Sequence, residues 1–354
     1  MKKVIITVIL LLFTVKLYSA EPLACYKIDS VWHFVDVNGD EMFKSSEVEN
    51  LAGYREGYFL ITRTVEDTTQ WAFMDTTGSI KIIPDATQAR LFREGRAITV
   101  HFQDPDGMDR TYGYINKKGE QVVPPDYLDA IDYYKGKAYI MNKDERGYID
   151  KNGDWIFKLD TLVGYTYSEG MAPVSTKNAR FGYINDKGEV VIEAKYDEAR
   201  PFYEGLAAVN TKGKFGFINK KGEWEIKPSF EFAKEFSDGY CFVAIADKNY
   251  EPMWGVINKK GYVSVNFQYK DARGFNMGIG TVKDEDSWYF IDTQGNKIID
   301  KEFTYADEFK DGLAWASDKE AGKYGFIDPL GNYQVELPAE AEFMIDLRVN
   351  RRVF

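Results

Sequence analysis

Cysteine, histidine and long apolar runs are all scarce in this chain of 354 residues. Two cysteines, Cys25 and Cys241, cannot supply the disulfide framework of a small secreted domain. Two histidines, His33 and His101, leave little room for imidazole catalysis, and neither has partners at the spacing of a triad or a zinc site. No phosphate-binding loop, dinucleotide fingerprint or nucleophile elbow occurs. Asp and Glu are abundant, but no two of them are singled out as a hydrolase pair. The sequence therefore names no catalytic, cofactor-binding or metal-binding residue, and the expectation is a protein that is not an enzyme. The stretch from Asp36 to Glu47 spaces its oxygens like a calcium loop, yet Glu41 stands where that loop needs glycine and Lys44 puts a cation at a ligand position.

The one apolar run, Val4 to Val15, is about a dozen residues long, short of the roughly twenty that span a bilayer. Lys2 and Lys3 precede it and Ser19 and Ala20 follow it, so residues 1–20 read as a signal peptide. This predicts export to the periplasm, the cell surface or the medium, with no transmembrane span in the mature chain. Cys25, after Pro22, Leu23 and Ala24, loosely resembles a lipid-attachment site, although Pro22 stands where an aliphatic residue is wanted. Removing residues 1–20 takes away three lysines and no acid, so the net charge moves from -11 to -14. So acidic a chain repels phosphate backbones, which excludes nucleic acid as a partner.

What the chain has is aromatics, at 16%, and repetition. Nine glycines recur about every 36 residues: Gly39, Gly78, Gly119, Gly153, Gly188, Gly222, Gly261, Gly295 and Gly331. Such a period marks a repeat architecture. Asp or Asn stands three residues before every one of them, which is the chemistry of a type I turn at a hairpin tip. On this reading the lysines of NKKG tips are solvated turn residues. An aliphatic precedes each Asx and an aromatic precedes it in eight copies, with a second aromatic two residues further back. Between the aromatics sits glycine in six copies, including Gly113, Gly182, Gly216 and Gly255. Period-two geometry buries both faces of this strand, and a mid-strand glycine implies backbone or a ring from a neighbouring repeat pressed close.

A second glycine follows the first by seventeen residues in seven copies, as in Gly78 to Gly95 and Gly222 to Gly239. From it to the next tip the distance varies from 17 to 24 residues, so insertions collect in one loop. A unit of this size cannot bury enough apolar surface to fold by itself and must lean on its neighbours.

The octet WGVINKKG at 254–261 and the segments at 202–209 and 309–315 resemble the bacterial WG-repeat family, also called KWG repeats. Trp-Gly survives literally only at Trp254 and Gly255. The resemblance implies a β-repeat and brings no catalytic residues. The expectation is an all-β, propeller-like array of about nine three-stranded antiparallel units over residues 21–354, eight full and a partial ninth at the C-terminal end, with an open solenoid as the alternative. Function is expected to reside in a protein partner held by rim loops at 58–71, 96–112 and 240–254, with a glycan or cell-wall ligand as the second reading.

Overall fold

The computed structural model describes residues 21–104, 106–348 and 351–352. The predicted signal peptide lies outside them. Among the described residues there is no helix, and hence none long and apolar enough to cross a membrane. The chain forms nine antiparallel blades, one for each tip glycine.

Blade 6 shows the plan. Its strands are Glu198–Ala199, Leu206–Thr211, Lys214–Asn219 and Trp224–Phe230, in that spatial order. The two-residue first strand makes the unit four-stranded where the sequence suggested three, because so short a strand carries no alternation to read. Blades 2 to 5 and blade 7 are built alike, while blades 8 and 9 share the strand Phe303–Ala306 in a single seven-stranded sheet. No sheet closes on itself as a barrel. Blade 9 is built on that shared strand together with Ala314–Asp318, Tyr324–Ile327 and Tyr333–Glu336. Blade 1 is the composite: Pro22–Ile28, Val31–Asp36 and Glu41–Ser45 are completed by Phe343–Asp346, with Cys25 opposite Ile345.

The blades close into a ring, the propeller rather than the open spiral. The missing side chain of each tip glycine lets the tip seat on an apolar residue of the preceding blade. A methyl group added to Gly222 would lie 3.2 Å from Ile192, and one on Gly261 would lie 3.3 Å from Ile226. The series runs through all nine blades and returns to its start, since Gly39 of blade 1 seats on Val335 of blade 9. The apolar cores follow the same circuit. Phe73 of blade 2 packs with Ala97 and Ile115 of blade 3, and Trp315 and Phe326 of blade 9 pack with Ala24 and Val35 of blade 1. Every blade thus buries an aromatic face on one side and an aliphatic face on the other, as period-two alternation requires.

The mid-strand glycines have a different cause from the one expected. A Cβ on Gly216 would stand 2.6 Å from the carbonyl oxygen of Ile226 and 2.7 Å from the nitrogen of Pro228. The close neighbour is thus the outer strand of the same blade, at a point where the pairing register shifts. Gly216→Ala is expected to lower unfolding stability by about 2–3 kcal/mol, the scale of an overpacked core, read from urea denaturation.

Candidate functional site

Strand order fixes which loops share a face. One face carries the hairpin tips together with the turns between the first and second strands of each blade. The opposite face carries the loops between the second and third strands, where the insertions collect.

On the first face, eight inner turns hold two consecutive residues at positive φ, for example Glu94 (53°) with Gly95 (79°) and Glu204 (51°) with Gly205 (83°). This is a type I′ turn, and its two central N–H groups point outward with no strand partner. Acidic side chains from the preceding blade take them. The Glu56 carboxylate accepts the N–H of Glu94 and of Gly95 (2.9 Å), and Glu94 accepts those of Lys135 and Gly136 (2.8 Å). Glu169 accepts from Gly205 (3.0 Å), Glu204 from Gly239 (3.0 Å) and Asp238 from Gly278 (2.9 Å). Each acid therefore caps the turn one blade ahead while itself forming part of a turn.

Lysines of the tips complete the clamp. Lys117 lies 3.2 Å from the Glu56 carboxylate and donates to the Glu56 carbonyl (2.9 Å), while Lys220 repeats both contacts with Glu169 and Lys259 with Glu204. The leading lysine of an NKKG tip is therefore an inter-blade contact. Blade 4 has Lys135 where six of the other turns have an acid, and blade 5 has Asp186 where the tips of blades 3, 4, 6 and 7 have lysine. There Lys137, the residue after the turn glycine, reaches the tip instead: it pairs with Asp186 at 2.6 Å and donates to its carbonyl (3.2 Å), as Arg96 donates to the carbonyl of Lys151 one blade earlier. Burial pushes the pKa of Glu56, Glu94 and Glu169 upward, but the N–H and lysine partners outweigh it and hold all three carboxyls below their ordinary value.

At the junction of blades 9, 1 and 2 the described residues hold no inner turn for blade 1. Arg348 takes its place, donating to the carbonyls of Lys310 (2.6 Å) and Leu313 (3.0 Å) while paired at 2.8 Å with the buried Asp346. The Tyr54 hydroxyl donates to Glu21 (3.1 Å) beside it.

The opposite face is less occupied. The predicted rim ranges 58–71, 96–112 and 240–254 turn out to be mostly paired strand, such as Tyr58–Val65 with Thr68–Asp75 and Tyr240–Ala246 with Pro252–Asn258. Only their tips are loops, and these carry exposed Met108 (84%) and Tyr250 (90%), with exposed Val65 at the end of the strand beside one of them. Near this face Phe232 is exposed and stacks on Trp254, with 6.2 Å between ring centres.

The remaining sequence candidates have structural roles. His33 pairs with Glu41 (2.7 Å) and stacks on Tyr26. Asp36 spends one carboxylate oxygen on the N–H groups of Asn38 (2.8 Å) and Asp40 (3.0 Å), and Glu41–Ser45 is strand, which draws Glu47 away from it. Among the described residues no three His, Cys, Asp or Glu side chains converge as metal ligands. Cys25 is fully buried in the junction core beside Phe34 and Ile345, and burial raises its thiol pKa. Cys241 is likewise buried, and the two are free thiols.

A closed ring of antiparallel blades, each radially ordered from a short inner strand to an outer one, is a β-propeller. Residues 112–145, 147–178, 181–215, 215–248, 254–288 and 290–320 match the WG containing repeat, together more than half of the chain, and the chain belongs to the WG-repeat family. Similar solved structures include BamB from Moraxella catarrhalis (9% identity over 78% of this chain and 90% of that one, TM-score 0.43). Others are an uncharacterized protein from Listeria monocytogenes (10%, 86% and 93%, 0.40) and Hsv2p from Kluyveromyces lactis (12%, 66% and 89%, 0.40). No curated protein matches the chain in sequence.

Proposed function

We propose that this protein is an exported, non-catalytic scaffold that binds another protein through the insertion-bearing face of the ring. The observation that carries the reading is the division of labour between the faces. On the tip face, acids, turn amides and lysines are largely consumed by inter-blade clamps. On the other face the loops differ in length and present Met108 and Tyr250 to solvent. Met and Tyr are enriched at interfaces, where a large side chain on a short stem is buried at low entropic cost. Export rests on residues 1–20 of the sequence, and the burial of Cys25 favours a mature chain without a lipid at that thiol.

A photo-crosslinking residue placed at 108 or 250 is expected to capture a defined partner that the same residue placed at Lys118, on the tip face, does not capture. Excess unlabelled wild-type chain should compete that capture away, while a chain with 103–109 and 247–251 replaced by two-residue Asn-Gly turns should fold with the same melting temperature and fail to compete. Equal capture from both faces would refute the reading. The exposed Phe232 stacked on Trp254 favours a glycan as the second reading, because a saccharide ring lies flat on such a surface. Saccharide-array binding lost on Phe232→Ala would select it.

A further inference from the structure

A cleft of about 730 Å³ opens between the inner strands of blades 6 to 9. This volume lies within the roughly 300–1,000 Å³ of small-molecule sites. The second residue after the inner-strand glutamate, phenylalanine or aspartate is a cation in three consecutive blades: Arg200, Lys234 and Arg273. Two of the three hold the ring together. Arg200 donates to the carbonyl of Ala233 in the next blade (2.5 Å) and lies over Phe215. Arg273 donates to the carbonyl of Ala306 (2.8 Å), pairs with Asp307 (3.2 Å) and lies over Trp288.

Lys234, in the blade between them, does neither. Its ammonium lies 5.2 Å from the centre of the Trp254 ring and makes no hydrogen bond or ion pair with the described residues. Burial lowers its pKa, and the carboxylates of Asp271, Glu235 and Glu308 work against that shift. Of these three cations Lys234 alone holds no carbonyl of the next blade, and its blade lines the cleft.

The charges around Lys234 select the ligand. A simple anion approaching the ammonium meets three carboxylates on the same cleft wall, and a simple cation is repelled by Arg200, Lys234 and Arg273. A molecule carrying both signs satisfies both sets. We propose that this cleft binds a small zwitterion of the amino-acid or short-peptide class, its carboxylate on Lys234 and its ammonium among Glu235, Asp271 and Glu308. The site is lined by the inner strands and turns of blades 6 to 9, not by Met108 or Tyr250, and is independent of the partner face.

Isothermal titration of the full chain with glycine, D- and L-alanine, dialanine and trialanine tests it, with acetate, methylamine and glucuronate as controls. At least one zwitterion is expected to bind. Its affinity should fall at least tenfold in Lys234→Met, which keeps the stem over Trp254, and at least tenfold when its amine is acetylated. Should Lys234→Met fail to fold, Asp271→Asn is read instead, with the same loss for the zwitterion and none for acetate. Absence of binding by every zwitterion, unchanged affinity in the variant that folds, or equal binding of acetate or glucuronate overturns the proposal.

Discussion

A chain ending at Glu342 is expected to lose its cooperative thermal transition, followed by circular dichroism, or to melt far below the full chain. The truncation removes the strand that completes blade 1, and with it Met344, Ile345 and Leu347, all buried. At about 1.5–3 kcal/mol for each buried side chain the loss is about 5–9 kcal/mol, as large as the whole stability of many proteins. It also leaves Leu23, Ala24 and Cys25 on an open strand edge. The same contact can be strengthened without deletion. Cys25 and Ile345 are cross-strand partners, and facing residues in antiparallel sheets have Cα atoms about 4.5–5.5 Å apart, within the reach of a disulfide. Oxidised Ile345→Cys should therefore form a Cys25 crosslink visible on a non-reducing gel. It should melt well above its own reduced form, by about 3–5 kcal/mol of stability, because the bond closes a loop of more than 300 residues. Unaltered melting after truncation would show that the ring does not depend on this contact.

The second large effect is acid sensitivity. Replacing Glu56, Glu94, Glu169 and Glu204 together by Gln is expected to lower stability at neutral pH by about 4–6 kcal/mol, since each loses charge-assisted bonds to turn amides worth about 1–1.5 kcal/mol net. The pH dependence follows from the lowered carboxyl pKa values of Glu56, Glu94 and Glu169. A group whose folded pKa lies below its unfolded one contributes fully above the unfolded value, about 4.5, and its contribution fades as the pH falls through the folded value. Wild-type stability should thus decline from about pH 4.5 downward, and the quadruple variant should decline less steeply. Some slope should remain, because hydrogen-bonded tip aspartates such as Asp292 and Asp328 are lowered as well, against the upward push of burial. Parallel slopes in denaturation measured at pH 3, 4, 5 and 7 would remove the clamps as the cause.

Much of this molecule could be read from its sequence, because its strongest signals are local. The Asx-to-glycine tip lies within four residues, and the alternating aromatics of Phe215 and Phe217 lie within one strand. The inter-blade clamp escaped for the opposite reason. Glu56 and the amides of Glu94 and Gly95 are separated by slightly more than one full repeat, and each partner alone is an ordinary turn residue. The available clue was a joint departure: Lys135 replaces the acid in the turn of blade 4, and Asp186 replaces the lysine in the tip of blade 5, one repeat on. Blade 1 was hidden too, because Phe343–Asp346 has no glycine turn after it and carries none of the repeat's marks. The glycine at 216 was recognised as crowded but assigned the wrong neighbour, since a register shift within one blade leaves no trace in spacing.

The pairing of residues 24–27 with 343–346 also dictates how the ring comes into being. Blades 2 to 9 can stack one upon another as each is synthesised, every one resting on its predecessor. Blade 1 has to wait, its partner strand separated from it by nearly the whole chain, and loop closure over that distance is slow. Until then the nascent molecule is an arc with two raw flanks, and the interval before the last strand arrives is when it is most exposed to pairing with the wrong neighbour.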